Sequence, residues 1–224
     1  MKKLAAFVLA ALLMVPVAAS AAEYGIYVTP KIGGGIQGLD AGISGISGAN
    51  VDSNEGSFGG GLAIGYDFNT QYNLPIRTEL EYTAWTSVDD RKSYSDSTGT
   101  ISGKGEVGIQ SLFANVYLDW HNSTNFTPYI GAGIGFGFVD TEASLSVNDG
   151  SGDYSAGFGS NVDTNFAWNV GLGCSYAFTD TISADLSYRY ASFGDGESKS
   201  INGYHVNSDS NDMHQFMLGV RFTF

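Results

Sequence analysis

The last eleven residues of the chain alternate without a break. His214, Phe216, Leu218, Val220, Phe222 and Phe224 fall on one face of an extended segment, and Gln215, Met217, Gly219, Arg221 and Thr223 on the other. A period of two is the signature of a β-strand. In water, an aromatic strand face of this kind is an open edge that templates aggregation. In a bilayer the same strand is stable, provided it closes a barrel in which every backbone polar group is paired and the apolar face meets lipid. The segment predicts a strand of a transmembrane barrel.

The other end of the chain agrees. Lys2 and Lys3 precede an apolar run over 4–15, Pro16 breaks that run, and Ala19, Ser20, Ala21 and Ala22 supply the small residues of a cleavage site. The run is shorter than the ~20 residues a spanning helix needs. Residues 1–22 read as a secretory signal peptide and 23–224 as one outer-membrane β-barrel domain. With Cys174 as its sole cysteine, the chain has no intrachain disulfide framework. Without Lys2 and Lys3, eight basic residues stand against 23 acidic ones, a formal charge of −15. So acidic a chain lacks the basic footprint that nucleic-acid binding requires.

Seven further segments show the same alternation, with apolar residues at even positions: 24–36, 58–68, 76–82, 112–120, 130–138, 166–178 and 182–190. The clearest is the fifth of the eight strands, where Ile130, Ala132, Ile134, Phe136 and Phe138 oppose Gly131, Gly133, Gly135 and Gly137. Connections over 69–74, 121–126 and 179–181 are short, whereas 37–57, 86–105, 140–161 and 194–211 are long and rich in Gly, Ser, Asn and Asp. The expected fold is all-β, an eight-stranded antiparallel up-and-down transmembrane β-barrel with long extracellular loops and short periplasmic turns. Phe68, Trp120, Phe178 and Phe224 end the even-numbered strands and would form an aromatic girdle at the periplasmic interface, with Phe222 beside them. Pro30 cannot donate to a strand ladder, so a bulge or a shortened first strand is expected there.

The inward positions carry charge: Lys31, Arg77, Arg189 and Arg221 against Asp67, Glu79, Glu81, Asp119 and Asp185. Eight strands leave an interior only wide enough for side chains, and charge there must pair or hold water. The arginines are expected to pair with Glu79, Glu81, Asp119 or Asp185, with Arg189–Asp185 a candidate couple. Two outcomes are open at this point, an ion-paired plug with Tyr117 and Tyr129 or a narrow gated pore. The run 131–137 resembles a glycine-rich phosphate loop only superficially, because its glycines are two apart on one strand face with no helix to follow. They make room for neighbouring side chains. Enzymatic candidates are His121-Asn122-Ser123, His205 with Ser208, and His214 near Asp212; calcium candidates are the pairs Asp149 with Asp153 and Asp209 with Asp212. None has the spacing of a recognised catalytic or metal site, so no catalytic, metal or cofactor-binding residue is assigned.

The runs 65–68 (GYDF), 77–82 (RTELEY), 127–135 (TPYIGAGIG) and 184–190 (ADLSYRY), with the closing Phe224, resemble the opacity-type family of small outer-membrane proteins of Gram-negative bacteria. That resemblance spans the mature chain. It implies an outer-membrane barrel that is a surface antigen, an adhesin or a small porin, and that works without a cofactor. The implied partners are outer-membrane lipid, the barrel assembly machinery, and host or environmental ligands met through the loops. It also implies that the terminal Phe and its alternating neighbours act as the assembly signal. The favoured function is a non-enzymatic surface protein, structural or engaging external partners. A narrow porin is the alternative, and a rim-located enzyme acting on lipid or peptide is third.

Overall fold

The computed structural model describes residues 24–43, 50–96, 99–148, 153–194, 196–197 and 206–224. The leader 1–22, Asp149 and His205 lie outside them. The elements are β1 (Ile26–Ile43), β2 (Asn50–Asp67), a short helix α1 (Phe68–Tyr72), β3 (Ile76–Trp85), β4 (Val88–Asp96), β5 (Gly99–Asp119), β6 (Phe126–Asn148), β7 (Asp153–Ala177), β8 (Ile182–Ser192), β9 (Gly196–Glu197) and β10 (Val206–Thr223). No helix among the described residues is long and apolar enough to cross a membrane; strands do so instead.

The ten segments make eight staves. β4 pairs with β5 just beyond β3, its register moved by one residue across Thr86–Ser87. β9 pairs with β10 in the same register as β8. Each is therefore the outward continuation of the strand before it. All neighbours are antiparallel, and β1 pairs with β10 to close the barrel. Phe224 fastens this seam: its N–H donates to the Ile26 carbonyl at 2.7 Å and its carbonyl accepts from Gly25 at 3.1 Å.

Parity is transmitted around the wall. In every wall ladder the paired residue numbers are both even or both odd, as in the row Val28, Ile64, Leu80, Ala114, Ile134 and Trp168. One odd register would turn an aromatic face into the lumen, because side chains repeat every two residues. The shifts that do occur, at Leu39/Ala41, at Thr86–Ser87 and at Thr141/Ala143, all sit at the long-hairpin end of the wall. Even positions face out, with Leu172 at 58% and Leu186 at 62% exposure, and odd positions face in.

Three local features differ from the sequence-based expectation. β1 runs straight through Pro30, whose ladder with β10 lapses and resumes in the same register; the bulge is further out, at Leu39/Ala41. A missing N–H removes one ladder bond without adding a residue, so no bulge is needed. The first short turn is helical: the Asp67 side chain accepts from the Asn69 N–H at 2.8 Å, and Asn73 ends the helix at φ 53°. Finally, the strands continue far into the Gly/Ser/Asn-rich connections as paired β-ribbon, β1 with β2 out to Gly42↔Asn50 and β6 with β7 out to Asn148↔Asp153.

Two inward glycines of β6, Gly131 and Gly133, accommodate side chains from the adjacent strands. A Cβ on Gly131 would lie 2.3 Å from the Tyr117 ring, and one on Gly133 would lie 1.9 Å from Asn115 Oδ1. Gly131→Val is expected to lower barrel stability by about 1–3 kcal/mol through overpacking, measured as a shifted urea midpoint in lipid vesicles. An unchanged midpoint would mean that the interior has slack there.

Candidate functional site

Read from the periplasmic end outward, the inward side chains of β3 are Arg77, Glu79, Glu81, Thr83 and Trp85, and those of β8 are Asp185, Ser187, Arg189 and Ala191, followed by Phe193 beyond the strand. The lumen is thus layered, charged below and apolar above.

Each charged side chain of this layer has an ion-pair partner on another strand, although Asp185 Oδ2, Arg189 Nη2 and Arg221 Nε make no hydrogen bond. Arg77 is 2% exposed and holds Asp119 with two hydrogen bonds, Nε to Oδ2 at 2.5 Å and Nη2 to Oδ1 at 3.1 Å. Its guanidinium lies over the rings of Tyr117 and Tyr129, 4.9 and 4.8 Å from their centroids. Lys31 Nζ reaches Glu79 at 2.8 Å and Glu81 at 2.5 Å. Arg189 bonds Glu81 on the opposite side of the barrel and donates to Gln215 Oε1 at 2.7 Å. Arg221 pairs with Asp185 at 2.5 Å. Two assignments need correcting. Arg189 and Asp185 are not a couple, since Asp185 bonds Arg221 and Arg189 reaches Glu81 on a different strand. Asp67 does not join the interior network; its carboxylate caps α1.

These groups surround a cavity of about 30 Å³, bounded by Lys31, Glu79, Tyr117, Asp185 and Arg189 among others. That is room for about one or two waters. Above it lies the apolar layer of Trp85, Ile109, Phe113, Val139, Phe193 and Met213, each no more than 6% exposed. Sequence reading missed this layer. Apart from Phe113 its members lie beyond the recognised strand ends or at the margin of one, although their odd numbers place them on the inward face.

The outer rim carries a polar aromatic cluster on the lipid side. The Tyr188 hydroxyl and His214 Nδ1 are 2.8 Å apart, Tyr190 donates to Asp212 Oδ2 at 2.6 Å, and Trp168 and Phe216 flank the rings. His214 is therefore bonded to Tyr188, not to Asp212, and no serine or cysteine accompanies it among the described contacts. In the opposite turn, the hydrogen bonds run through Asn122 and Thr124 rather than through His121 and Ser123. Among the described residues no three His, Cys, Asp or Glu side chains form a metal cluster. Of the aromatic residues named for the periplasmic rim, Trp120 and Phe178 are exposed, while Phe68 begins α1 and packs on Tyr66 at 4.7 Å. Phe222 and Phe224 are half-buried beside the closure.

Charge divides by level. Inside the wall the four cations Lys31, Arg77, Arg189 and Arg221 balance the four anions Glu79, Glu81, Asp119 and Asp185. The outer hairpins, 38–58, 86–108, 139–165 and 194–212, hold sixteen carboxylates against Arg91, Lys92, Lys104 and Lys199. In the sequence, these four segments therefore hold twelve of the fifteen net negative charges of residues 23–224.

A closed even-stranded barrel, apolar outside, polar within and with short turns at one end only, is a transmembrane barrel of the Gram-negative outer membrane. The chain belongs to the family of the outer membrane protein beta-barrel domain, whose model matches residues 6–222. It is similar to the outer membrane protein PagN of Salmonella typhimurium, 36% identical over 92% of this chain and 93% of that one. It is also similar to a putative adhesin of Rickettsia conorii, 31% identical over 78% of this chain and 70% of that one. Among solved structures it resembles Neisserial surface protein A, with 20% identity, a TM-score of 0.47, and coverage of 89% of this chain and 97% of that one.

Proposed function

We propose that this barrel is a non-enzymatic surface protein whose outer ribbons engage external partners, with the wall acting as a rigid mount. The observation that carries this reading is the double closure of the lumen: an ion-paired layer and an apolar layer are stacked in series, and the cavity among the charges holds about one or two waters. Paired charges leave no free cation or anion line for a permeating solute, and the apolar layer repels ions. Function then falls to the outer hairpins, as it often does for segments carried on a rigid scaffold. The description of the Rickettsia relative as a putative adhesin supports the same reading.

The mature chain in this reading starts after residue 22. Phe68, Trp120, Phe178, Phe222 and Phe224 form the periplasmic girdle, and Phe224 with its alternating neighbours engages the assembly machinery before entering lipid. Trimming the four outer hairpins to short turns is expected to leave folding intact, seen as heat-dependent gel mobility, and to abolish binding to cells or matrix. A steady cation-selective conductance through the trimmed barrel, altered by neutralising Glu79 or Glu81, would establish a narrow porin instead.

A further inference from the structure

The closure between β1 and β10 is interrupted toward its periplasmic end. The ladder stops at Val28↔Phe222 and resumes at Lys31↔Gly219 in the same register. The ladders on either flank pass this level without a break: β1 with β2 through Thr29↔Ala63 and Pro30↔Leu62, and β10 with β8 through Val220↔Ala184 and Arg221↔Ser183. The interruption therefore belongs to this seam and is not a fraying of strand ends.

Its cause is Pro30. Phe224 donates to the Ile26 carbonyl, and along an antiparallel pair the hydrogen-bonding residues alternate. Even-numbered residues of β1 thus direct their backbone groups toward β10, and in this register Pro30 stands opposite Val220. Proline has no N–H, so the Val220 carbonyl loses the donor that any other residue would supply. Val220 is exposed on the lipid side, and hydrocarbon offers a carbonyl no partner. A partner has to come from the lumen.

The lumen side of the same notch holds further unmet groups. Thr29 and Arg221 stand opposite each other in this register, both on the inward face, at 1% and 8% exposure. Thr29 Oγ1 and Arg221 Nε make no hydrogen bond with a protein group. Arg221 donates through Nη2 to Asp185 Oδ1 and lies over the Tyr27 ring, 5.1 Å from its centroid. Those contacts engage the end and the face of the guanidinium and leave Nε over. A donor, a hydroxyl and a carbonyl acceptor around one interruption are the partners that a single buried water requires.

We propose that the notch at Pro30 is a binding site for one water molecule, which accepts from Arg221 Nε, bonds Thr29 Oγ1 and donates to the Val220 carbonyl. Arg221 is already neutralised by Asp185, so a neutral ligand suits the site better than an anion. The water stands in for the missing ladder bond, and a proline can then occupy the closing strand without leaving a bare carbonyl in lipid.

The test is a crystal structure of the full mature chain grown from a lipid mesophase, at a resolution that shows ordered waters at the turns. A water within hydrogen-bond distance of Arg221 Nε, Thr29 Oγ1 and the Val220 carbonyl is expected. In Pro30→Ala the new N–H should donate to that carbonyl, the ladder should run unbroken from Val28 to Lys31, and the water should be lost. Amide hydrogen exchange in vesicles reads the same change in solution, as a slowly exchanging N–H at residue 30.

A notch without water in the native crystal would overturn the proposal, whether Arg221 Nε turns to a protein group or stays unbonded. So would anomalous density at the notch after a bromide soak, which would show an anion site. A water that persists in Pro30→Ala beside a closed ladder, or a rapidly exchanging amide at residue 30, would also overturn it, because the proline would not be the cause. The native crystal and its bromide soak decide the matter even if Pro30→Ala fails to fold.

Discussion

Arg77→Met is expected to destabilise the barrel by about 3–5 kcal/mol, the cost of breaking one side of a buried pair. Asp119 is 3% exposed and has Arg77 as its ion-pair partner, with two hydrogen bonds to it. Removing the guanidinium leaves a carboxylate in a site with little access to water. The stacking over Tyr117 and Tyr129 goes with it, and a methionine refills part of that space. The double variant Arg77→Met/Asp119→Leu should recover much of the loss, because an apolar replacement of both partners leaves no orphaned charge. Arg189→Met should cost less, since Glu81 keeps Lys31 at 2.5 Å. Guanidinium unfolding in vesicles, followed by tryptophan fluorescence, measures all three. Strong coupling between Arg189 and Asp185 in a double-mutant cycle would contradict the observed pairing.

The second large effect lies on the outer face. Leu172→Arg, about midway along β7 between Phe178 and Trp168, is expected to cost about 2–4 kcal/mol because the guanidinium must be drawn into hydrocarbon. Phe166→Arg, near the outer rim, should cost about 0–1 kcal/mol, since its charge reaches the interface. The adjacent inward position behaves differently: a side chain at Gly171 would meet the Tyr188 carbonyl at 2.7 Å, so it acts through crowding. Equal costs at residues 166 and 172 would mean that the band of lipid contact is misplaced.

Much of the wall was legible because its cause is local. A strand in lipid must alternate, and residues such as Ile134 between Gly133 and Gly135 declare which face is which without reference to any partner. Strand ends were less legible. Trp85, Ile109 and Met213 continue the inward face, but they sit among Gly, Ser, Asp and Asn residues whose weak strand propensity reads as loop. The same bias hid the outer ribbons, where pairing with an adjacent hairpin overrides composition. His214 and Asp212 show the limit of proximity in sequence: two residues apart, they share a face yet bond to different tyrosines of β8.

The amino-acid sequence by itself determined the strand number, the parity of each face and the rim that carries the short turns. These follow from side-chain alternation and from the cost of exposing backbone or charge to hydrocarbon, which act residue by residue. The tertiary structure alone decided that Arg77 takes Asp119, that Arg189 crosses to Glu81 while Asp185 goes to Arg221, that Asp67 caps a helix, and that an apolar layer seals the lumen above the charges. Those outcomes depend on the stagger at which eight strands close, and that stagger is a property of the whole ring rather than of any one segment.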